Sequence, residues 1–218
     1  FEPDLIQLFG TESGLGEVLS KVQIPHIIHI QGLINPCLAA WFPKGVSQRT
    51  VLKNSTLKSR LLKKGIISDY YKTKKMAVRE EKILRNAQNF FGRTNWDRNV
   101  VQLYNPAANY FHCDELLRED FYRFRWEASA NGKLTLATTI NPNLYKGLEI
   151  ILNTAHLLKE KLKIDFEWKV MGMHANDDLV RIIERIGNKL FADLNVIFLG
   201  YLNTVELIKN LISSTIFV

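Results

Sequence analysis

The stretch "LATTINPNLYKGLEIILNTAHLLKE", residues 136 to 160, decides the fold of this chain. It begins inside an apolar run, Leu134 to Thr139, that is typical of a β-strand. A turn rich in asparagine and proline follows, and Lys146 and Gly147 then precede a segment with the apolar periodicity of a helix. A strand, a short turn and a helix in this order form part of a βαβ unit, from which parallel sheets are built.

The same alternation of strands and helices extends in both directions along the 218 residues. Most of the strand-like runs are short and apolar at consecutive positions, as in strands that are buried on both faces. The predicted strands are Asp4 to Phe9, His26 to Gln31, Asn89 to Gly92, Leu134 to Thr139, Phe166 to Met171, Asn195 to Leu199 and Thr215 to Val218. The predicted helices are 14–22, 54–64, 73–87, 95–102, 145–163, 177–191 and 203–212. This pattern predicts an α/β protein with Rossmann-like units, each built on a parallel sheet.

A small, polar segment, "EASANGK" at 127 to 133, interrupts this alternation. We interpret it as a linker between a first α/β unit, residues 1–126, and a second, residues 134–218. Chain ends are usually polar, but this chain finishes with the apolar run "STIFV", which is typical of a buried strand. We therefore expect each unit to be incomplete and the chain to be an internal piece of a longer protein.

The composition excludes several classes of protein. A hydrophobic content of 46%, with 11% aromatic residues, is that of a folded protein rather than a disordered one. The two cysteines, Cys37 and Cys113, favour a reduced, cytoplasmic protein, and neither lies in a metal-ligand spacing. No apolar run is long enough to cross a bilayer, and no signal peptide is recognisable.

Positive charge is concentrated in one part of the chain. Between Lys44 and Arg98, 15 Lys and Arg residues stand against four acidic ones, a net charge of +11 in a chain whose total is +7. This asymmetry suggests an anionic partner or surface.

Within this segment, four cations surround the apolar face of the predicted helix 54–64 and are called the basic patch below: Lys53, Arg60, Lys63 and Lys64. Such a helix can rest on an anionic membrane, which would make the protein peripheral to it. The alternative is a solvated face whose lysine stems cover the core. Nucleic acid is not an expected partner, because no stacking platform or reader motif accompanies the charge.

Lys146 and Gly147 are the first candidate binding residues. Ligands of open parallel sheets bind beyond the carboxyl ends of the strands, where loops lead into helix N-termini. Such an end offers unpaired N–H groups and partial positive charge; a lysine adds a full charge, and glycine lets an anion approach the backbone. The pattern suits phosphate, and the alternative is a solvated lysine in an ordinary turn.

Two further loops follow predicted strands. "LFGTESGLG", residues 8 to 16, contains Gly10, Thr11 and Glu12, but its glycine spacing does not fit the dinucleotide fingerprint, which disfavours a nicotinamide-dependent oxidoreductase. "GRTNWD", residues 92 to 97, places Arg93 and Thr94 at a strand end. These two residues are candidates for an anion contact, or Thr94 or Asn95 caps the next helix.

Taken together in order, these motifs resemble family 4 (group 1) retaining glycosyltransferases, which have the two-domain GT-B fold. "INPNLYKGLEIILNTAHLLKE", "FEWKVMG" and "NVIFLGYLNTVELIKNLISSTIFV" are similar to the donor-binding domain. "PDLIQLFGTE", "IPHIIHIQGL" and "REEKILRNAQNFFGRTNWDR" are similar to the acceptor-side domain. The order and spacing of the motifs carry the resemblance, since none of them is diagnostic alone.

The resemblance implies a cytoplasmic enzyme that moves a sugar from a nucleotide-sugar to a glycan or lipid-linked acceptor in cell-surface polysaccharide synthesis, without a metal or other cofactor. Lys146 and Gly147 would bind the donor diphosphate. Gly172, Gly200 and Tyr201 would line the nucleotide pocket, although the glycines also fit simple strand-end turns. The loop Gly10 to Glu12 would face the cleft between the two domains and contact acceptor or donor.

The sequence departs from the family pattern at three places. Ile140 stands where the family commonly has a second phosphate-binding arginine, and Gln31 stands where a catalytic histidine often lies. His29, nearby, is expected to be a buried strand residue. The family's paired glutamates would lie beyond Val218, so a chain ending there is expected to be inactive. The first two departures favour an alternative, a non-catalytic or degenerate α/β module that binds nucleotide or phosphate.

Overall fold

The computed structural model describes residues 2–56, 65–127 and 133–218 of the chain. These residues form an α/β structure with two separate, all-parallel sheets of four strands each, flanked by helices. The predicted fold class, two Rossmann-like units with parallel sheets, is confirmed in this respect. The chain divides into two compact units, one comprising Phe1–Trp41 and Ser68–Leu116, the other Phe42–Ile67 and Leu117–Val218.

The sheet of the first unit contains four strands in sequential order. They are β1 (Ile6–Phe9), β2 (His26–His29), β3 (Asn89–Gly92) and β4 (Asn109–His112), arranged β1-β2-β3-β4. The register places Ile28 opposite Phe90 and Phe90 opposite Tyr110. Ile28 and Phe90 are wholly buried because helices cover both faces at the centre of the sheet, where apolar side chains are removed from water.

Helices of both units follow the 3.6-residue periodicity of their apolar positions. Those before the second sheet are α1 (Leu15–Leu19), α2 (Ile34–Ala39), α3 (Gln48–Asn54), α4 (Ile66–Asn86) and α5 (Asn95–Tyr104). Those that follow its first strand are α6 (Leu148–His156), α7 (Asp178–Gly187) and α8 (Thr204–Ile212). No helix in the described part of the chain is both long enough and apolar enough to span a bilayer.

The sheet of the second unit has the order expected for a doubly wound fold. Its strands are β5 (Leu134–Thr139), β6 (Phe166–Met171), β7 (Val196–Gly200) and β8 (Ile216–Phe217), arranged β7-β6-β5-β8. The strand order reverses at β5, with β6 on one side and β8 on the other. The switch point therefore lies between β5 and β8, and open parallel sheets bind ligands at the carboxyl ends of their strands.

Several predicted elements differ from the observed ones. The predicted helix 145–163 is divided into a 3₁₀ turn (Leu144–Lys146), α6 and a π-helical turn (Leu157–Lys161). The predicted helix 54–64 falls largely on residues 57–64, which lie outside the described part of the chain, so it stays a prediction; α3, which ends at Asn54, is an additional helix. The elements that were not predicted include α2, which contains Pro36, and β4, most of whose residues are exposed.

The second unit includes a segment from the first half of the sequence. Residues Phe42–Ile67 group with it, and α3 packs on α7, where the Arg185 Nη1 donates to the Asn54 carbonyl oxygen at 3.1 Å. Val51 of α3 is wholly buried. The predicted linker falls largely on residues 128–132, which lie outside the described part of the chain, so that boundary stays a prediction.

Candidate functional site

Gly147 forms the N-terminal boundary of α6 and has a left-handed conformation, with φ of +82°. A Cβ atom there would meet nothing closer than the Ile150 Cδ1 at 3.4 Å, so crowding does not require glycine. The backbone conformation does, because side chains disfavour positive φ. Gly147 thus turns the chain from the 3₁₀ turn that carries Lys146 into the helix.

Lys146 is exposed beside this turn. Its backbone N–H donates to the Asn143 carbonyl oxygen at 3.1 Å, which fixes the turn, and its Nζ lies 5.5 Å from the centre of the Tyr145 ring. Among the described residues, no carboxylate pairs with this ammonium group. The N-cap residue makes no side-chain cap of α6, and the Ile150 N–H donates to the Gly147 oxygen at 2.9 Å. The positive charge of Lys146 therefore lies close to the N-terminus of α6, which itself carries partial positive charge.

A pocket of about 380 Å³ opens at the carboxyl ends of β5 and β6. It brings together residues that are far apart in the sequence, from three successive strand ends and from α8. Its lining is Thr139, Ile140, Asn141, Lys146, Met171, Gly172, Tyr201, Leu202 and Leu207. Among the described residues that line the pocket, Lys146 is the one that carries a charge. The predicted Lys146, Gly172 and Tyr201 share the pocket, whereas Gly147 and Gly200 are not part of its lining.

Gly172 closes the floor of the pocket. Its φ is +95°, and a Cβ atom would lie 2.5 Å from the backbone oxygen of Ile140. Its N–H donates to the Gly200 oxygen at 2.7 Å, and the Gly200 N–H donates to the Met173 oxygen at 3.0 Å. The ends of β5, β6 and β7 are therefore joined so closely that a side chain at Gly172 does not fit.

An aromatic pair forms part of the rim. A Cβ atom on Gly200 would lie 2.4 Å from the His174 Cε1, so the absence of a side chain there admits the imidazole. The His174 ring meets the Tyr201 ring edge to face, with 5.4 Å between centres, while Tyr201 remains 67% exposed. An exposed ring in this position offers a surface on which a planar ligand group can stack.

Ile140 is buried in the wall of the pocket. Its N–H donates to the Met171 oxygen at 2.9 Å, and 6% of the residue is exposed. The resemblance places a second arginine at this position, and the structure has an aliphatic side chain there instead. A ligand phosphate in this pocket would thus meet one lysine and backbone N–H groups.

Glu149, in the first turn of α6, is the one acid close to Lys146 in sequence whose ionisation is perturbed. Burial raises the pKa of its carboxyl group above the ordinary value, and a hydrogen bond to its own backbone N–H partly opposes this. The buried Oε2 has no hydrogen-bond partner among the described residues. The ionised form is therefore poorly solvated.

In the first unit, the loop Gly10 to Glu12 follows β1 at the carboxyl end of its sheet. The Gly10 N–H donates to the His29 oxygen at 2.8 Å, and the φ of Gly10 is +80°. Thr11 is wholly buried, and its hydroxyl donates to the Glu80 carboxylate. Thr11 therefore holds the loop in place from inside, whereas Glu12 is half-buried at its surface.

The sequence prediction missed Glu80, which is wholly buried on α4. Its Oε1 also accepts from the Ile34 N–H at 2.8 Å, and its Oε2 accepts from the Asn35 N–H at 2.7 Å and the Asn35 Nδ2 at 2.8 Å. One carboxylate thus caps α2 and fixes the loop after β1. Its position on the apolar face of α4, three residues after the buried Ala77 and three before the buried Ile83, is the sequence feature that indicates its burial.

Arg93 and Thr94, which were predicted to contact an anion, make other contacts in the structure. Arg93 pairs with Glu115 at 2.8 Å and donates to the Gln31 backbone oxygen at 3.2 Å. Thr94 caps α5, accepting from the Asp97 N–H in a complete capping box. Gln31 itself is exposed just beyond β2, and His29 is buried between Phe9 and Phe91, as its strand position predicted.

The basic patch is described only at Lys53, which is exposed near the end of α3. Arg60, Lys63 and Lys64 lie outside the described residues. Comparison with known proteins finds no family model that matches the chain and no curated protein that is significantly similar to it.

Proposed function

We propose that this chain belongs to a glycosyltransferase that moves a sugar from a nucleotide-sugar donor to a glycan or lipid-linked acceptor, with the donor bound in the pocket around Lys146. The observation that carries the proposal is the grouping of Lys146, Gly172 and Tyr201 around one pocket of about 380 Å³ at the carboxyl ends of β5, β6 and β7. The sequence resemblance described above supports the same reaction.

Each part of this pocket has a role in the proposed chemistry. The leaving nucleoside diphosphate gains negative charge as the glycosidic bond breaks, and the Lys146 ammonium group and the N-terminus of α6 stabilise that charge. Gly172 keeps the ends of β5 and β6 close together beneath the ligand, and Tyr201 offers an aromatic face for the base. We propose that no metal takes part.

Binding of nucleoside diphosphates to the 218-residue chain tests this proposal. Calorimetric titration with UDP, GDP and ADP should show binding of at least one of them. Lys146→Ala should weaken it roughly 10- to 100-fold, because a hydrogen bond to a charged group contributes about 1.5–3 kcal/mol. Lys161→Ala, which changes an exposed lysine that does not line the pocket, is the matched control.

Two results would contradict the proposal. One is the absence of binding by all three diphosphates at millimolar concentration. The other is equal binding by the wild type, Lys146→Ala and Lys161→Ala, which would mean that any affinity comes from elsewhere on a basic surface.

A non-catalytic nucleotide- or phosphate-binding module is the second candidate, and Ile140 is the observation that favours it. With an aliphatic residue in place of the expected arginine, the described lining offers one cation to a diphosphate. Both candidates predict binding, so the test is the encoding gene beyond Val218 and turnover by its full-length product. Two glutamates separated by seven residues, together with consumption of a nucleotide-sugar, would support the transferase; binding without consumption would support the module.

A further inference from the structure

Tyr201 follows β7 directly and is mostly exposed. The exposed fraction of the residue is 67%, and no hydrogen bond involves its hydroxyl group among the residues that the structure describes. Its ring meets the His174 imidazole at an interplanar angle of 68°, with 5.4 Å between the ring centres. Exposed side chains change rotamer within nanoseconds, so this contact limits the directions in which the Tyr201 ring can point.

The backbone on both sides of His174 is fixed by hydrogen bonds. The Gly200 N–H donates to the Met173 oxygen at 3.0 Å, which joins the residue before His174 to the end of β7. The His174 N–H donates to the Asp177 Oδ2 at 2.8 Å, and the Asp177 N–H donates to the His174 oxygen at 3.1 Å. His174 thus belongs to a turn that is tied both to β7 and to the N-terminus of α7.

The His174 ring is held by packing rather than by its nitrogen atoms. Among the described residues, no hydrogen bond or ion pair involves those nitrogens. The ring lies instead against Gly200, where a Cβ atom would be 2.4 Å from the Cε1 and 2.7 Å from the Nδ1. A flat ring that rests on a residue without a side chain and touches a second ring acts through its shape, so another aromatic ring can replace it.

We propose that His174 is a positioning residue, which holds the Tyr201 ring in the orientation that stacks on the base of a bound nucleotide. In an edge-to-face pair, at least one face of the Tyr201 ring stays uncovered by the imidazole, and Tyr201 lines the same pocket as Lys146. His174 acts through Tyr201 and does not itself bind the phosphates. This inference rests on the proposed function for the choice of a nucleotide.

Calorimetric titration with UDP, GDP, ADP and inorganic pyrophosphate tests the inference, because pyrophosphate has the phosphates without a base. The wild type should bind at least one nucleoside diphosphate more tightly than pyrophosphate. His174→Ala should weaken that binding roughly 2- to 12-fold, as expected for loss of an aromatic pair, and should leave pyrophosphate binding unchanged. His174→Phe keeps a ring and should restore the affinity, and in a Tyr201→Ala background His174→Ala should have no further effect. His112→Ala, which removes an exposed histidine from the first unit, is the matched control.

The outcomes separate this inference from the donor-site proposal. If diphosphates bind in a Lys146-dependent way but His174→Ala binds as the wild type does, or loses pyrophosphate binding equally, the inference on His174 is wrong and the donor site stands. Fluorine relaxation of the Tyr201 ring, in chain labelled with fluorotyrosine, needs no ligand: the ring should be more mobile in His174→Ala but not in His174→Phe. If no diphosphate binds and the mobility changes in this way, the positioning of Tyr201 stands and the donor-site proposal fails. If no diphosphate binds and the mobility is unchanged, both are wrong.

Discussion

Replacing Glu80 with glutamine should destabilise the first unit, and the size of the effect follows from the four hydrogen bonds that its carboxylate accepts. The best orientation of the introduced amide keeps its oxygen on the two Asn35 donors. Its NH₂ group then faces Thr11, whose hydroxyl can rotate to accept and can donate instead to the Gly32 oxygen, 3.4 Å away. The Ile34 N–H, 2.8 Å from the Glu80 carboxylate in the wild type, loses its acceptor.

A buried N–H without a partner costs about 1–3 kcal/mol, and the two bonds from Asn35 weaken because the acceptor loses its charge. We therefore expect Glu80→Gln to reduce the free energy of unfolding of the first unit by about 3 kcal/mol. Glu81→Gln is a matched control on the same helix. The Glu81 side chain is 43% exposed and pairs with Arg85 at the surface, so its replacement should cost about 0.5 kcal/mol or less.

Native-state hydrogen exchange measures the effect in each unit separately, which a single denaturation curve of a two-unit chain would not do. Peptides covering residues 10–16 and 32–40 should lose protection in Glu80→Gln, whereas peptides from β5 and β6 serve as an internal reference. If the two glutamine variants give unfolding free energies within about 0.5 kcal/mol of each other, the reasoning on the buried carboxylate is wrong.

Three further predictions concern other parts of the chain. Gly172→Ala should destabilise the second unit by about 2–4 kcal/mol, because it combines a positive φ with a clash against the backbone. Gly45→Ala, at φ +84° in open space, should cost about 1 kcal/mol. Thermal melting of both variants measures the difference, and equal costs would contradict this prediction. The pKa of Glu149 is raised in the folded state, so its favourable contribution is complete below the unfolded-state pKa and is lost as pH rises through the folded-state value. Glu149→Gln should therefore melt at a higher temperature than the wild type at pH 7, with a smaller difference at pH 4, and a pH-independent difference would show that the charge is not responsible. The basic patch should promote sedimentation with phosphatidylglycerol vesicles but not with phosphatidylcholine vesicles. Added salt should abolish this binding, since screening acts within about 8 Å at physiological ionic strength, and so should reversal of the four charges. If the chain shows no preference for anionic vesicles, the patch is a merely solvated surface.

The sequence predicted the central strands best. The bounds of β3, β5 and β6 agree with the predicted ones, because apolar residues such as Phe90, Leu136 and Trp168 occupy the buried positions of each strand. β4 lies at the edge of its sheet and is mostly exposed, so it leaves no such pattern. α2 escaped prediction because Pro36 reads as a helix breaker, although the first turn of a helix tolerates proline.

The candidate sites were predictable where a local rule governs them. Lys146 was identified because ligands of parallel sheets bind at strand ends, and Gly172 because the family resemblance implied it; the structure places both around one pocket. Glu80 was not identified, because in "REEK" it is indistinguishable in type from its exposed neighbour. Its importance depends on Thr11 and Asn35, which are 69 and 45 residues away, and such long-range partners leave no local pattern.

The packing of α3 with the second unit affects how the chain is made. The Asn54 oxygen and the Arg185 guanidinium that binds it are 131 positions apart, so α3 leaves the ribosome long before its partner helix exists. At roughly 5–20 residues per second, the interval is about 7 to 26 seconds. Throughout that time the face of α3 that carries Val51, wholly buried in the finished protein, has nothing from α7 to cover it. During synthesis the nascent chain thus exposes an apolar surface to which chaperones can bind.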